Sequence, residues 1–208
     1  MARPALTTEQ RADLDRRQHR QLLRGMAACV GVKGYAATTM NDIAREARVS
    51  KSTFYAHFAD KQACYLALYS AATNNVLDAM AAADLAAAVA GLGPREHLLA
   101  VNEAYLETLA GGGELTKSLL IEVQAIGRAG LEARREIFER FARLIRSVSD
   151  GLRRSDPRLR RLTPDLALAI VGSTNELVMR EIEAGRTAQL AAEVCGPATD
   201  VWYAVLTR

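Results

Sequence analysis

The chain has 208 residues, enough for one large domain or two small ones. Half of the residues are hydrophobic and a quarter are charged, which argues against disorder, and the longest apolar run, residues 85–92, is far shorter than the ~20 residues that cross a bilayer. Residues 1–61 carry a net charge of +5 and residues 62–208 a net charge of −2, which favours a polyanion as the partner of the N-terminal part.

The first predicted helix has its apolar residues on one stripe of a 3.6-residue period, namely Leu22, Leu23, Met26, Ala27 and Val30. Gly25, inside this helix, is expected to cost about 1 kcal/mol of stability relative to alanine. Gly34 is expected to end the helix in a left-handed conformation. Thr39 then caps a short helix that has Asp42 in its first turn and stops near Val49.

Two further helices follow in the N-terminal part. Ser50 caps a very short helix from Lys51 to about His57, and Asp60 caps a longer one that runs past residue 75. Two short helices joined by a tight turn after a supporting helix form a helix-turn-helix, whose second short helix enters the major groove. On that helix Phe54 and Phe58 are expected to face inward, and the side chains that remain for DNA are Lys51, Ser52, Thr53, Tyr55 and His57.

The rest of the chain is predicted to be a series of longer helices. Alanines at 79–90 continue the fourth helix, and glycine or proline separates the later helices at 94–110, 115–127, 130–153, 164–185 and 188–206. No segment shows the alternation of a strand over a useful length, so the predicted fold is all-α with about nine or ten helices. We place the domain boundary after Lys61, with a helix-turn-helix domain over 1–61 and a helical domain over 62–208.

Three linked motifs carry a resemblance to a known family: Leu22-Leu23 with Gly34-Tyr35, Thr38-Thr39-Met40-Asn41-Asp42-Ile43-Ala44, and Val49-Ser50 through Tyr55, His57, Phe58 and Lys61. From about Leu22 to Ala72, the chain resembles the TetR (tetracycline-repressor-like) family of transcriptional regulators. The resemblance implies that double-stranded operator DNA is the partner. It also implies phosphate contacts from Thr39, Tyr55, His57 and Lys61, and base contacts from Lys51, Ser52 and Thr53.

Each of these assignments has a structural alternative. Tyr55 is alternatively a packing residue between the short helices, and His57 a residue that caps its helix. Thr39 is an N-cap in either case. The N-terminal basic residues are either a source of sequence-independent attraction to DNA or a frayed tail, and they comprise Arg3, Arg11, Arg16 and Arg17.

The resemblance further implies that the C-terminal domain binds a small-molecule effector and forms a homodimer. The candidate ligand residues lie on or beside apolar stripes and are Asn102, Tyr105, Leu109, Glu122, Arg134, Phe138, Asn175 and Met179. Such a wall suits a largely hydrophobic ligand with one polar head. The alternatives are a structural partner for Asn102, because a buried amide must be paired, and surface ion pairs for Glu122 and Arg134.

The last two helices have broad apolar faces that we expect to be buried in an isologous four-helix interface between two copies. The residues of those faces are Leu166, Ile170, Leu177, Val178, Val201, Trp202 and Leu206. Trp202 is equally suited to the core of a single chain. We expect no membrane association.

Catalysis has little support, since the chain has no GxSxG, Walker, GxGxxG or HExxH motif. No cofactor and no metal site is expected, and three cysteines without zinc or disulfide spacing suit a reducing cytoplasm. The function predicted is a ligand-responsive regulator, with repression as the expected mode, that binds a near-palindromic operator as a homodimer and is released by its effector. The alternative is a helical small-molecule carrier or enzyme whose basic domain lacks operator specificity.

Overall fold

The computed structural model describes residues 7–207, and within them it contains nine α-helices and no strand. The helices are α1 (Thr8–Ala37), α2 (Met40–Glu46), α3 (Lys51–His57), α4 (Lys61–Val89), α5 (Pro94–Gly111), α6 (Glu114–Glu122), α7 (Arg128–Ser155), α8 (Pro164–Glu183) and α9 (Leu190–Thr207). Two 3-10 turns, Val123–Ile126 and Thr187–Gln189, precede α7 and α9. The all-α prediction is confirmed.

Helix α1 begins much earlier than its apolar stripe. The Thr7 hydroxyl accepts a hydrogen bond from the Gln10 backbone N–H at 3.2 Å, and the Gln10 side chain accepts one from the Thr7 N–H at 2.9 Å. This reciprocal cap satisfies two donors that a helix start leaves without partners. Arg11, Arg16 and Arg17 therefore lie on a helix rather than in a frayed tail, while Arg3 lies outside the described residues.

The end of α1 is irregular, as the glycine at position 34 predicted. Gly34 has φ +77°, a conformation that side chains disfavour, and the helix resumes after it and ends at Ala37. The Thr38 hydroxyl donates a hydrogen bond to the Gly34 carbonyl at 2.7 Å, which satisfies one acceptor left by the interrupted helix.

The chain divides into two compact units after Tyr69, and the N-terminal unit is built on a small apolar core. This core contains Leu22, Met26, Val30, Ile43 and Phe54, all of which are fully or almost fully buried. The predicted stripe of the first helix thus faces α2 and α3, and the short helices gain from it the stability that seven residues cannot supply alone.

The C-terminal unit starts at Ser70, and its described residues include the following two apolar clusters. One includes Leu98, Ile145 and Trp202, and the other includes Leu106, Val178 and Leu190. The Trp202 indole N–H donates to the Ser149 hydroxyl at 3.0 Å, and that hydroxyl donates to the Ile145 carbonyl at 2.7 Å. Trp202 is therefore a core residue of the single chain, which resolves the alternative that the sequence left open.

Several side chains expected at an interface between copies are buried within one chain instead. They are Ile170, Val178, Trp202 and Leu206. The large apolar side chains that α8 and α9 leave exposed are Leu168 and Val201, at 42% and 38%. Most of the apolar residues of α8 and α9 face the core of their own unit, because α8 packs on α7 and α9 while α9 packs on α5.

The predicted helix over 115–127 is shorter than expected. It ends as an α-helix at Glu122 and continues as a 3-10 turn to Ile126, after which Gly127 has φ +87°. This turn passes close to Gly130, where a Cβ would stand 1.9 Å from the Val123 carbonyl oxygen. The turn therefore fits only against a glycine backbone. No helix within residues 7–207 has the length and apolar character that a membrane span requires.

Candidate functional site

The start of α2 is fixed by a network around Asp42. The Thr39 hydroxyl accepts from the Asp42 N–H at 3.2 Å and donates to the Asp42 carboxylate at 2.6 Å, while the Thr39 N–H donates to the same carboxylate at 2.9 Å. Lys33 adds a hydrogen bond of 2.6 Å to it. The Lys33 ammonium and the Thr39 donors hold the pKa of Asp42 well below its usual range. The N-cap role of Thr39 is confirmed.

The turn between α2 and α3 contains a left-handed residue that is not glycine. Arg48 has φ +55°, its N–H donates to the Arg45 carbonyl at 3.1 Å, and the Val49 N–H donates to the Ala44 carbonyl at 3.0 Å. These two bonds form a Schellman ending, whose left-handed position is usually occupied by glycine. The sequence analysis did not predict this role for Arg48. Its side chain is exposed.

Helix α3 has the bounds that the sequence predicted, and its N-terminus carries a cluster of hydroxyl groups. The Ser50 hydroxyl accepts from the Thr53 N–H at 3.0 Å and lies 2.7 Å from the Ser52 hydroxyl and 2.8 Å from the Thr53 hydroxyl. Each hydroxyl can both donate and accept, so the cluster can exchange internal bonds for bonds to DNA without leaving a group unpaired.

The two faces of α3 separate as predicted. Phe54 and Phe58 are buried, at 0% and 6% exposure, and anchor the helix from behind. Lys51 and Ser52 are exposed, and Tyr55 is 45% exposed, with the Lys51 ammonium 6.0 Å from the centre of its ring. The exposure of Tyr55 argues against the alternative of a packing residue between the short helices. The outward face thus combines a cation, hydroxyl groups and a phenol.

His57 differs from this pattern. Its side chain is 6% exposed, and its Nε2 lies 3.5 Å from the Gln18 amide oxygen and 3.7 Å from the Asp15 carboxylate. The ring also lies 5.9 Å from the ring of His19. His57 was predicted among the side chains free for DNA, and the structure instead packs it against α1. Sequence spacing alone could not reveal this, because the long N-terminal extension of α1 was not predicted.

Lys61, predicted as a phosphate contact, has partners inside the N-terminal unit. Its ammonium donates to the Tyr35 carbonyl at 2.9 Å and to the Ala36 carbonyl at 3.4 Å, and it lies 4.1 Å from the centre of the Tyr35 ring. These carbonyls belong to the irregular end of α1. Asp60 caps α4 as predicted, since its carboxylate accepts from the Ala63 N–H at 2.7 Å.

The helix-turn-helix that these contacts define matches a known family. Residues 22–68 match the model of bacterial regulatory proteins of the tetR family. The N-terminal domain is a TetR-family DNA-binding domain. This confirms the resemblance drawn from the motifs between Leu22 and Lys61. The family is one of transcriptional regulators and not of enzymes. A search of curated protein sequences gives no significant match.

Solved structures of TetR-type regulators are similar to the chain over most of its length. FadR of Bacillus halodurans, a fatty acid degradation regulator, has a TM-score of 0.76 at 16% identity and covers 89% of this chain and 94% of its own. FadR of Bacillus subtilis, solved with stearoyl-CoA, has a TM-score of 0.75 at 17% identity, with 90% and 99% covered. A TetR-family regulator of Mesorhizobium loti has a TM-score of 0.73 at 22% identity, with 92% and 97% covered. These likenesses show the TetR-type fold.

In this TetR-type fold, Asn102 has a structural partner. It is 4% exposed on α5, and its amide N–H donates at 3.0 Å to the hydroxyl of Thr199 on α9, which is fully buried. Cys195, one turn earlier on α9, donates from its Sγ to the Leu99 carbonyl at 3.6 Å. Asn102 therefore joins α5 to α9, which is the structural alternative that the sequence left open.

Five of the other seven ligand candidates fall into three places. Tyr105 and Leu109 are half-buried and pack against both apolar clusters, and Tyr105 meets Phe141 edge to face at 5.7 Å. Arg134 stacks on Phe138 with 4.0 Å between the guanidinium carbon and the ring centre, rather than forming the expected surface ion pair. The Glu122 carboxylate accepts a hydrogen bond from Ser118.

The remaining two candidates, Asn175 and Met179, are half-buried on α8. A shallow depression on the surface of α7 is lined by other residues, namely Glu132, Ala133, Arg135, Glu136 and Glu139. No group of three or more potential metal ligands lies close together within residues 7–207.

Proposed function

We propose that this protein is a ligand-responsive transcriptional repressor that binds a near-palindromic operator as a homodimer. The observation that carries the proposal is the outward face of α3, where Lys51, Ser52 and Tyr55 are exposed while Phe54 and Phe58 anchor the helix. A seven-residue helix held in this way presents its N-terminal side chains to base edges in the major groove.

The proposed contacts divide by chemistry. Lys51, Ser52 and Thr53 read base edges, since a lysine can donate to guanine and a hydroxyl can bond either partner of a pair. Tyr55 and Lys61 hold phosphates, which positions the domain on the duplex but specifies no sequence. The Lys61 ammonium has three N–H donors. Two of them donate to the Tyr35 and Ala36 carbonyls, so the third is left for a phosphate.

A homodimer would place two such helices on successive turns of the major groove, about 34–36 Å apart. The exposed Leu168 on α8 and Val201 on α9 support a contact between these helices and those of a second copy. Because most of the apolar residues of α8 and α9 lie in the core of one chain, we propose a narrower apolar seam than the sequence predicted. Asn175 and Met179, on the half-buried flank of α8, would lie near it.

The proposed effector is an amphiphile with an apolar body and an anionic head. Tyr105 and Leu109 pack against both apolar clusters and Tyr105 contacts Phe141. All three side chains are only half-buried, so a ligand could replace part of these contacts. Arg134 on Phe138 supplies a cation beside an aromatic ring. The structural likeness to a FadR solved with stearoyl-CoA supports an effector of this kind.

The deciding experiment measures the affinity of the full chain for selected operator and for random duplex at one fixed salt concentration. Specific binding should exceed non-specific binding by at least about 10³. A ratio near one would remove the regulator and favour the helical carrier or enzyme.

Two variants assign the roles of individual residues. Lys61→Ala should weaken binding to all duplexes and lower the log–log salt slope by about one unit. Lys51→Ala should reduce the preference for the operator by about 1–3 kcal/mol. Arg135→Ala, an exposed change on α7, is the matched control.

A further inference from the structure

The link between α7 and α8 is basic in a unit that is otherwise acidic. Residues 153–161 contain five arginines and one aspartate, a net charge of +4, so the other residues of 62–208 carry a net charge of −6. All five arginines are exposed. The proposed operator contacts make no use of these residues.

The backbone of this segment is anchored to the core of the C-terminal unit. Leu159 and Leu162 are 4% and 3% exposed and belong to the apolar core of the unit, and the Arg160 N–H donates to the Leu206 carbonyl at 2.9 Å. The neighbouring Arg160 and Arg161 therefore project from an anchored backbone rather than from a loose loop. Because the backbone is already ordered, binding a ligand to these cations has a smaller cost in conformational entropy.

Within residues 7–207, one of the five arginines, Arg158, is held in an ion pair. Arg158 donates to both oxygens of Asp156, at 2.8 and 2.9 Å. Among the described residues, no carboxylate pairs with Arg153, Arg154, Arg160 or Arg161. Arg153 and Arg154 lie in the last turn of α7, where cations favour the helix dipole, but Arg160 and Arg161 lie outside any helix.

We infer that residues 153–161 form a second DNA-binding surface, which holds the phosphate backbone of a duplex without reading its sequence. Arginine suits this partner because its guanidinium bonds phosphate oxygens in pairs. A membrane surface fits less well, since membrane-bound segments expose apolar side chains, and the leucines here point into the core. Single strands also fit less well, because residues 153–161 offer no aromatic side chain for bases to stack on.

The expected strength follows from the number of free cations. Four phosphate contacts give a log–log salt slope of about −3.6, so affinity should fall about 150-fold between 50 and 200 mM salt. The surface would bring a second duplex, or a distant part of the same one, to a protein already seated on its operator. The second surface itself does not depend on the proposed operator binding. Only its test does, because operator is used there to occupy the α3 face.

The test uses the full chain saturated with unlabelled operator, to which a labelled random duplex is added at 50 mM salt. Sedimentation should show both duplexes on one protein assembly. Arg160→Gln/Arg161→Gln should lower the affinity for the second duplex and reduce its salt slope by about two units. The matched control is Arg135→Gln/Arg143→Gln, which removes two exposed arginines from α7 and should change this affinity less than twofold.

Three results would overturn the inference. They are the absence of a second duplex on the assembly, an equal loss in the control, and binding of phosphatidylglycerol vesicles in place of DNA. Operator affinity measured on the same variants should be unchanged. If operator affinity is unchanged and no second duplex binds, the second surface is refuted and the proposed regulator stands. If the parent chain shows no selectivity for operator, that result counts against the proposed regulator alone.

Discussion

Gly25 lies in the middle of α1 and gives a sharp test of how α1 packs on α2. A Cβ at this position would stand 2.9 Å from the Ile43 carbonyl oxygen, 3.0 Å from the Ala47 nitrogen and 3.1 Å from the Ala47 Cβ. Two of these atoms are backbone and cannot rotate away. From helix propensity alone, this glycine is expected to lower the stability of the protein by about 1 kcal/mol relative to alanine.

Two opposing effects set the outcome of Gly25→Ala. Helix propensity favours alanine by about 0.5–1 kcal/mol. The added methyl must push α2 away by several tenths of an ångström, and such overpacking costs about 1–3 kcal/mol. The net expectation is a loss of about 1 kcal/mol, equivalent to a melting temperature lower by about 2–4 °C for a chain of this size.

The assay is thermal unfolding followed by circular dichroism, with operator affinity measured in parallel. Two controls separate propensity from packing. Ala28→Gly, at an exposed position of the same helix, measures the propensity effect in α1 and should be destabilising. Gly151→Ala in α7, whose Cβ would meet only the tip of Arg154 at 3.7 Å, should be stabilising.

The combination of signs is what the packing argument predicts. Gly25→Ala should lower the melting temperature and weaken operator binding, because α2 shifts relative to α1. A higher melting temperature for Gly25→Ala, with operator affinity unchanged, would show that α1 and α2 do not approach as closely as the structure has them.

Further variants test the turn, the cap of α2 and the buried amide. Arg48→Gly should raise stability by about 1 kcal/mol in thermal unfolding because it relieves the left-handed conformation, and Arg48→Ala, which keeps the strain, should not. Asp42→Asn should be less stable than the parent at pH 7. Because folding lowers the pKa of Asp42, this difference in stability should shrink as the pH falls below about 4. A difference that does not change with pH would contradict the network around Asp42. Asn102→Leu should cost about 1–3 kcal/mol because the buried Thr199 hydroxyl loses the hydrogen bond that the amide donates to it, and adding Thr199→Val should recover part of the loss. Equal melting temperatures for the parent and Asn102→Leu would reopen a ligand role for that amide.

Much of the N-terminal unit follows from local sequence. The caps at Thr39, Ser50 and Asp60 are short-range bonds between a side chain and a backbone N–H three residues later, so residue type and spacing are enough to place them. The inward direction of Phe54 and Phe58 follows in the same way from helical periodicity. These local rules set the bounds of α3 and the outward face that carries the proposed function.

Other features of that unit depend on residues far apart in the chain. His57 is covered by α1, 39 residues before it, and Lys61 bonds carbonyls 26 and 25 residues before it. Gly25 is required by the backbone of α2 rather than by its own helix. Local patterns describe which side of a helix is apolar or charged and do not state which distant segment will cover it.

The C-terminal unit shows the same limit more strongly. The sequence by itself determined that the chain is helical, where most helices lie, and that Asn102 falls within an apolar stripe. Only the tertiary structure decided that Thr199 accepts a hydrogen bond from this amide, that Trp202 belongs to the core of one chain, and that the leucines of the α7–α8 link are buried while its arginines are exposed. The physical reason is that an apolar stripe has the same periodicity whether a neighbouring helix, a second copy or a ligand buries it, so the choice among them rests on packing in three dimensions.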